Sequence, residues 1–238
     1  MLNTTKAIVL HKSNYSETSL VVQVFTQQYG KVGLLIQGAK KRKAKIKTAL
    51  FEPLSVLELV ANFSDLDKLI RPREVKLHIP FISIQSNISK RSVVLFLSEI
   101  LHKCIREPHP DQAMFHFVEK SLYSLEQSDS NTANFHLAFL LELSKHLGFH
   151  PQKSNGEYFD MVEGVFSNSV PNTNLYLQGE EKDLFLQVLG TKIEECSQLT
   201  ISSEQRKTVL SALIRYYQTH VSGLGEVKSH TILESVFN

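Results

Sequence analysis

Short apolar and β-branched runs, separated by turn residues, fill the first 80 residues, and this pattern is typical of β-strands. Four runs lie at residues 7–10, 20–26, 32–36 and 54–60, and a less regular run lies at 69–77. Tyr29 and Gly30 separate the second run from the third, which predicts a hairpin. Five short strands favour a small closed barrel, because an open sheet would leave two bare edges.

Beyond Pro80 the apolar positions recur at three- and four-residue spacing, which is the period of α-helices. Residues 135–147 are apolar on nearly every side, and this pattern predicts a central buried helix. Ser202 or Ser203 can cap a later helix. The predicted helical segments are residues 93–104, 114–125, 135–147, 209–217 and 231–236.

Residues 149–178 interrupt the helical pattern. Asn, Ser, Gly and Pro punctuate this stretch, and aromatic residues are scattered through it. We expect an irregular insert or a small hairpin element within the helical region.

The composition is that of a globular chain, with 42% hydrophobic and 21% charged residues among 238. No stretch reaches the roughly 18 consecutive apolar residues that cross a membrane. The N-terminus lacks the pattern of a signal peptide, so we expect a cytoplasmic location. Cys104 and Cys196 belong to no CxxC pair, which argues against a disulfide framework or a thiolate zinc site. Both are expected to be small buried hydrophobes.

The net charge is only +2, so the distribution of charge is more informative than its sum. Residues 40–47 read KKRKAKIK, and a polyanion would relieve the repulsion among these cations while releasing its own counterions. Because the segment lies between two predicted strands, we expect a mobile loop that follows a phosphate backbone without reading sequence. The predicted nucleic-acid-binding residues are Lys40, Lys41, Arg42, Lys43, Lys45 and Lys47, extended by Arg71 and Arg73.

A solvated loop, or a contact for an acidic protein, explains a lone basic run about as well. Aromatic residues in the barrel favour nucleic acid, because OB-type grooves combine cations with rings that stack on bases. The available rings are Phe25, Tyr29, Phe51 and Phe63, and each is more often a core residue than a stacking platform.

Patterns for catalysis or metal binding are weak. His146 and His150 are four residues apart, but Gly148 is expected to break the helix between them. There is no HExxH, P-loop, GxSxG or GxGxxG pattern, and the pair Asp65 and Asp67 is more typical of a turn. We therefore expect no enzyme, no metal and no cofactor.

Several short motifs mark both ends of the chain in a fixed order. They lie at residues 7–10, 15–17, 24–26, 29–31, 37–41, 216–217, 220, 224, 227–229 and 232–233. In this order and spacing they resemble the bacterial recombination mediator RecO family, whose Gly-Ala-basic signature is similar to Gly38-Ala39-Lys40.

The resemblance implies an α+β fold with more than one domain. An N-terminal OB-fold β-barrel would occupy residues 1–79, and an all-α domain with the small irregular insert would occupy residues 80–238. The resemblance also implies binding of single- and double-stranded DNA and annealing of complementary strands. It implies partnership with RecR and the single-stranded DNA-binding protein during loading of RecA, and a location at the nucleoid without a membrane.

In this family the single-stranded DNA-binding protein offers an acidic, apolar C-terminal tail. A pocket with apolar walls and a nearby cation on the helical domain would suit such a tail. The candidate partner-binding residues are Arg91, Lys103, Arg106 and Lys120, although an ordinary exposed helix charge is the commoner explanation for each of them alone.

Some relatives in the family carry a four-cysteine zinc element after a Gly-Phe pair like Gly148-Phe149. Here the matching residues 150–176 contain no cysteine, and thiolates are what hold such a structural zinc. We therefore expect no zinc, and an insert that is held by its aromatic residues.

Other functions stay open at this point. An RNA-binding or ribosome-associated protein could use the same barrel, because a basic loop contacts phosphate and does not sense the 2′-hydroxyl. A nuclease would need clustered carboxylates for metal ions. A purely structural adaptor would show no salt-sensitive binding of nucleic acid.

Overall fold

A computed structural model describes residues 1–42, 44–106, 108–128 and 132–237 of the chain. The chain divides into two compact units, Met1–Glu126 and Gln127–Asn238. The elements of the first unit are β1 (Asn3–Asn14), β2 (Leu20–Thr26), β3 (Gly30–Ile36), β4 (Val56–Ala61), β5 (Glu74–Ile79), α1 (Ile82–Ser86), α2 (Ile88–Cys104) and α3 (Gln112–Gln127).

The five strands of the first unit form an antiparallel sheet in the order β3-β2-β1-β4-β5. The sheet closes on itself because Ile70, just before β5, forms a parallel bridge with Leu34 of β3. Leu35 N donates to Ile70 O at 2.8 Å, and Ile70 N donates to Gly33 O at 2.8 Å. The predicted hairpin between β2 and β3 is present. The bridge between Ile70 and Leu34 joins β3 to the segment just before β5, so the sheet forms a partly closed barrel.

Side chains that alternate along the strands fill the interior of the barrel. Val22 and Val24 of β2 are fully buried, and so is Phe51 of the 3-10 helix Thr48–Phe51. Ala39 belongs to the same core cluster and directly precedes residues 40–47, which we call the basic segment. The interior is therefore a packed core, and any ligand must bind on its surface.

The helices α2 and α3 pack on the outside of this barrel. The Ser98 hydroxyl of α2 donates to Leu10 O at 2.6 Å, and the rings of Phe25 and Phe115 lie 5.7 Å apart. Lys31 Nζ of β3 donates to His102 O at 2.6 Å and to Ile105 O. These carbonyls end α2 and have no donor within the helix, so Lys31 joins the barrel to the helix end.

The second unit surrounds one buried helix. Its elements are α4 (Phe135–His146), β6 (Tyr158–Asp160), β7 (Val165–Ser167), β8 (Tyr176–Gln178), α5 (Gly179–Leu189), α6 (Ser203–His220) and α7 (His230–Val236). The predicted central helix is confirmed, since α4 is buried on nearly every side. Ser202 caps α6 as predicted, because its hydroxyl accepts from Gln205 N while its own N–H donates to the Gln205 side chain.

The segment 149–178 holds a small antiparallel sheet in the order β7-β6-β8. Each strand has three residues, which is too short for alternation to appear in the sequence. The ring of Phe159 is fully buried, and its centroid lies 4.8 Å from Phe166, 4.7 Å from Phe185 and 5.5 Å from Tyr216. Aromatic packing therefore ties this sheet to α5 and α6.

Candidate nucleic-acid interface

The basic segment begins directly after β3 and is anchored to the barrel at two points. Gly38 has a left-handed backbone with φ +66°, and Lys41 N donates to Gly38 O at 3.1 Å in the turn that follows. Ala39 is buried in the barrel core, and Ile46 packs against the same core. The cations between these anchors are exposed, namely Lys40, Lys41, Arg42 and Lys45, as is Lys47 beyond them. Lys43 lies outside the described residues.

Arg71 lies close to the point where the chain leaves β3, because it follows Ile70, which bridges Leu34. The bridge between Ile70 and Leu34 is parallel, so the chain after Ile70 runs in the same direction as the chain that enters the basic segment. Ile70 is buried, whereas Arg71 and Arg73 are exposed. Arg73 belongs to the other end of the sheet, because its N–H donates to Val60 O and Val60 pairs with Thr4 near the start of β1. We call the exposed cations that follow β3 and Ile70 the basic rim, and it consists of Lys40, Lys41, Arg42, Lys45, Lys47 and Arg71.

The basic rim differs from the rest of the barrel surface in its ion pairing. Lys12 pairs with Glu52 at 2.7 Å, and Lys68 pairs with Asp65 at 2.7 Å. Among the residues that the structure describes, no carboxylate forms an ion pair with a cation of the rim. The rim is therefore the part of the barrel where positive charge remains available to an anion.

The predicted stacking rings lie mostly in the interior. Phe25, Phe51 and Phe63 are each less than 10% exposed, so they serve as core residues. Tyr29 is half-buried and stacks on Phe63 with ring centroids 4.1 Å apart and an interplanar angle of 8°. The core alternative is thus confirmed for the three phenylalanines.

One exposed ring near the rim was missed by sequence reasoning. Tyr15 is 62% exposed in the turn between β1 and β2. Its position among the polar residues Ser13, Asn14, Ser16 and Glu17 is the signal that could have found it, because an aromatic residue inside a polar turn has no core to enter.

The candidate partner-binding cations lie in the first unit, on α2 and α3 or just beyond them. Arg91 on α2 and Lys120 on α3 are exposed. Lys103 pairs with Glu99 at 3.3 Å, and Arg106 Nε donates to Lys103 O at 3.2 Å. Lys103 and Arg106 thus already have partners at the end of α2, and the role of all four residues stays a prediction.

The described residues contain no group of three or more His, Cys, Asp or Glu side chains that could hold a metal ion. Burial raises the pKa of the Cys104 thiol to about 12 and that of Cys196 to about 11, so both stay protonated. His150 Nδ1 lies 3.0 Å from Leu141 O, and burial lowers the pKa of its ring. No helix in the described part of the chain is long and apolar enough to cross a bilayer.

Two family models match the chain one after the other. The N-terminal model of recombination protein O covers residues 1–81, and the C-terminal model of the same protein covers residues 85–230. Together they span the barrel and most of the helical region. The predicted fold class, an OB-fold barrel followed by a helical region, is confirmed by this match and by the five-stranded sheet.

Curated relatives are similar to the chain along their whole length. DNA repair protein RecO of Flavobacterium psychrophilum is 38% identical over 237 residues, which cover 98% of each chain. The proteins of the same name from Azobacteroides pseudotrichonymphae and Phocaeicola vulgatus are 33% and 32% identical over 241 residues, which cover 100% of each chain. The chain therefore belongs to the RecO family of recombination and DNA repair proteins.

Proposed function

We propose that this chain is a recombination mediator that binds single- and double-stranded DNA and anneals complementary strands. With RecR it would help to load RecA onto DNA coated with the single-stranded DNA-binding protein, in the cytoplasm at the nucleoid. Family membership supports the repair role, and the observation that carries the DNA contact is the basic rim. Its cations have no ion-pair partner within the described residues.

The proposed mechanism is electrostatic. Cations of the rim neutralise phosphates and release the counterions that had condensed on the strand. Two strands that are neutralised in this way repel each other less, so complementary bases can meet. No bond is made or broken in this process, and it requires no nucleotide or metal.

The salt dependence of binding measures the number of phosphates that are contacted. Six contacts would give a log–log slope of very roughly −4 to −5 against salt concentration. A slope of this size distinguishes binding through many cations from binding through one or two.

The decisive variant replaces Lys40, Lys41, Lys45 and Lys47 by Ala. For a single-stranded oligonucleotide, the slope should flatten by about 3, since each lost contact removes roughly 0.7. The matched control replaces Lys12, Lys68 and Lys76 by Ala, because these barrel lysines have carboxylate partners. An unchanged slope in the first variant would reject the rim as the site.

Strand annealing tests the mediator role itself. Complementary oligonucleotides coated with the single-stranded DNA-binding protein should anneal faster with the wild-type chain than with the four-lysine variant. If the wild type does not accelerate annealing of coated strands, the mediator role is wrong even where DNA binding holds.

The contact with the single-stranded DNA-binding protein would use the helices α2 and α3. Arg91 and Lys120 are exposed there, and Lys103 and Arg106 would reinforce the local positive charge near an acidic tail. Titration of the chain with a peptide of that tail should show weaker binding after Arg91→Ala and Lys120→Ala together. Equal affinity in this double variant would move the partner site elsewhere.

A further inference from the structure

The turn between β1 and β2 presents an aromatic ring to solvent. Among the phenylalanines and tyrosines that the structure describes, only Tyr15 and Tyr123 are exposed, at 62% and 42%. The Tyr123 ring contacts Phe81 edge to face with centroids 5.9 Å apart, so it is partly held by its neighbours. Tyr15 is thus the more accessible of the two rings.

The backbone under Tyr15 is fixed by the turn itself. Tyr15 N donates to Ser19 O at 3.1 Å, and Ser16 N donates to the same oxygen at 3.3 Å. Ser19 N donates in return to the Ser16 hydroxyl at 3.2 Å. Because the backbone is already ordered, a ligand that contacts the ring does not have to order this turn first.

The same turn is bonded to the basic rim. Lys40 N donates to Thr18 O at 3.3 Å. Thr18 directly precedes Ser19, whose carbonyl accepts the hydrogen bond from Tyr15 N. The strand register agrees with this contact, since Asn14 pairs with Leu20 and Leu20 pairs with Ile36. The chain therefore leaves β1 after Asn14 and leaves β3 after Ile36 at the same end of the sheet. Tyr15 follows the first exit, and the basic segment follows the second.

We propose that Tyr15 stacks on an unpaired base of a single strand whose phosphates lie on the basic rim. This inference rests on the DNA contact proposed above and adds strand specificity to it. An unpaired base offers a free face to a ring, whereas the bases of a duplex are covered by their neighbours. Tyr15 would therefore strengthen the binding of single strands and leave the binding of duplexes unchanged.

The charge of the turn also favours a base over a phosphate at this position. Glu17 is the one charged residue among positions 15–19, and its carboxylate is exposed. A carboxylate repels a phosphate but has little effect on the neutral face of a base. The strand would thus place its backbone toward Lys40 and its base toward Tyr15.

The test compares Tyr15→Ala, Tyr15→Phe and the control Tyr123→Ala on three ligands. These are a single-stranded oligothymidine, a duplex of equal length and an abasic strand with the same number of phosphates. Tyr15→Ala should weaken binding of the oligothymidine by about one order of magnitude and leave the other two unchanged. Tyr15→Phe and Tyr123→Ala should bind all three ligands like the wild type, because stacking needs the ring and not its hydroxyl.

The outcomes separate this inference from the DNA contact on which it rests. If Tyr15→Ala binds oligothymidine like the wild type while the wild-type salt slope stays steep, the stacking role is wrong and the rim remains the site. If the wild type shows no salt-dependent binding, the DNA contact itself is wrong. Equal losses on the oligothymidine and the abasic strand would also reject stacking, since the abasic strand has no base.

Photochemical crosslinking gives a readout that does not depend on affinity. A strand that carries 5-iododeoxyuridine should crosslink to the wild-type chain at Tyr15, as identified by peptide mapping. Crosslinks that map only to other residues would overturn the proposal. Circular dichroism of Tyr15→Ala should show the same thermal midpoint as the wild type, because the ring is exposed.

Discussion

Tyr15 of the first unit and Phe159 of the second unit are both aromatic, yet their surroundings are opposite. Tyr15 is 62% exposed beside cations that have no ion-pair partner among the residues described. Phe159 is fully buried and contacts three other rings. On the two helices that contribute Phe185 and Tyr216 to this cluster, Arg215 pairs with Glu181 and Lys182 pairs with Asp183.

This contrast separates the residues that stabilise the chain from those that are free to bind. A buried ring contributes to folding through the apolar area that it removes from water. An exposed cation contributes little to folding but retains its full charge for a ligand. Substitutions in the aromatic cluster should therefore change stability without changing DNA binding, and substitutions in the basic rim should do the reverse.

The largest expected effect on stability comes from Phe159→Ala. Removal of this buried ring should lower the free energy of unfolding of the second unit by about 3–5 kcal/mol. Urea unfolding followed by circular dichroism measures this loss, and Phe159→Leu should lose clearly less. The salt slope of DNA binding should stay at its wild-type value in any sample that is still folded. A slope that changed with this substitution would break the proposed separation.

Gly30→Ala should destabilise the first unit by about 2–4 kcal/mol. Gly30 has φ +67°, and a Cβ built there would lie 2.4 Å from His109 O. Gly38→Ala is the matched control, because Gly38 has φ +66° but its Cβ would meet nothing closer than 3.6 Å. Only the cost of the left-handed backbone, about 1–2 kcal/mol, should appear there. If thermal unfolding showed equal losses of stability in Gly30→Ala and Gly38→Ala, the close approach of the Gly30 position to the backbone of His109 would be excluded as the cause.

Both units should lose stability in acid through buried histidines. Burial, together with the positive charge of Arg206, lowers the pKa of His136 to about 3. Burial, together with the positive charge of Lys31, lowers the pKa of His102 to about 4. The folded pKa values lie below the usual 6.5, so the unfolded chain binds more protons and stability falls as pH drops from 6.5 toward 4. His136→Leu should remove roughly 3 kcal/mol of the loss between pH 7 and pH 4. Urea midpoints at both pH values test this, and an unchanged loss would contradict it.

The smallest effect on stability is expected at the rim. Lys45→Ala and Lys47→Ala should each change the free energy of unfolding by less than about 0.5 kcal/mol. Each should nevertheless flatten the salt slope of DNA binding by roughly 0.7 to 0.9. A large loss of stability in either variant would show that these lysines support the fold.

Local patterns in the sequence were sufficient for most of the secondary structure. The strands of the barrel, the hairpin and the helices α2, α3, α4 and α6 follow from the spacing of apolar residues. The sequence did not predict α1, which has five residues, or α5, which begins directly after β8 with no loop between them. Elements that are short or lack a turn signal do not produce a readable period.

The candidate site depends on contacts that the sequence does not display. The basic segment is visible as a run of charge, but its position beside Arg71 results from the parallel bridge between Leu34 and Ile70. The rings that the sequence offers for stacking lie in strands and in the segments that join them, where most aromatic side chains enter the core. Tyr15 lies in a turn, and this turn is joined to the rim by the hydrogen bond from Lys40 N to Thr18 O.

The amine of Lys31 bears on the design of shorter versions of this protein. Cutting the chain after β5 would strip Lys31 of both carbonyls at the end of α2, and burial has already lowered its pKa to about 8. The same cut would remove the Ser98 hydroxyl from Leu10 O and expose the ring of Phe25 where Phe115 had covered it. The shortest self-supporting fragment that keeps the basic rim should therefore extend through α3.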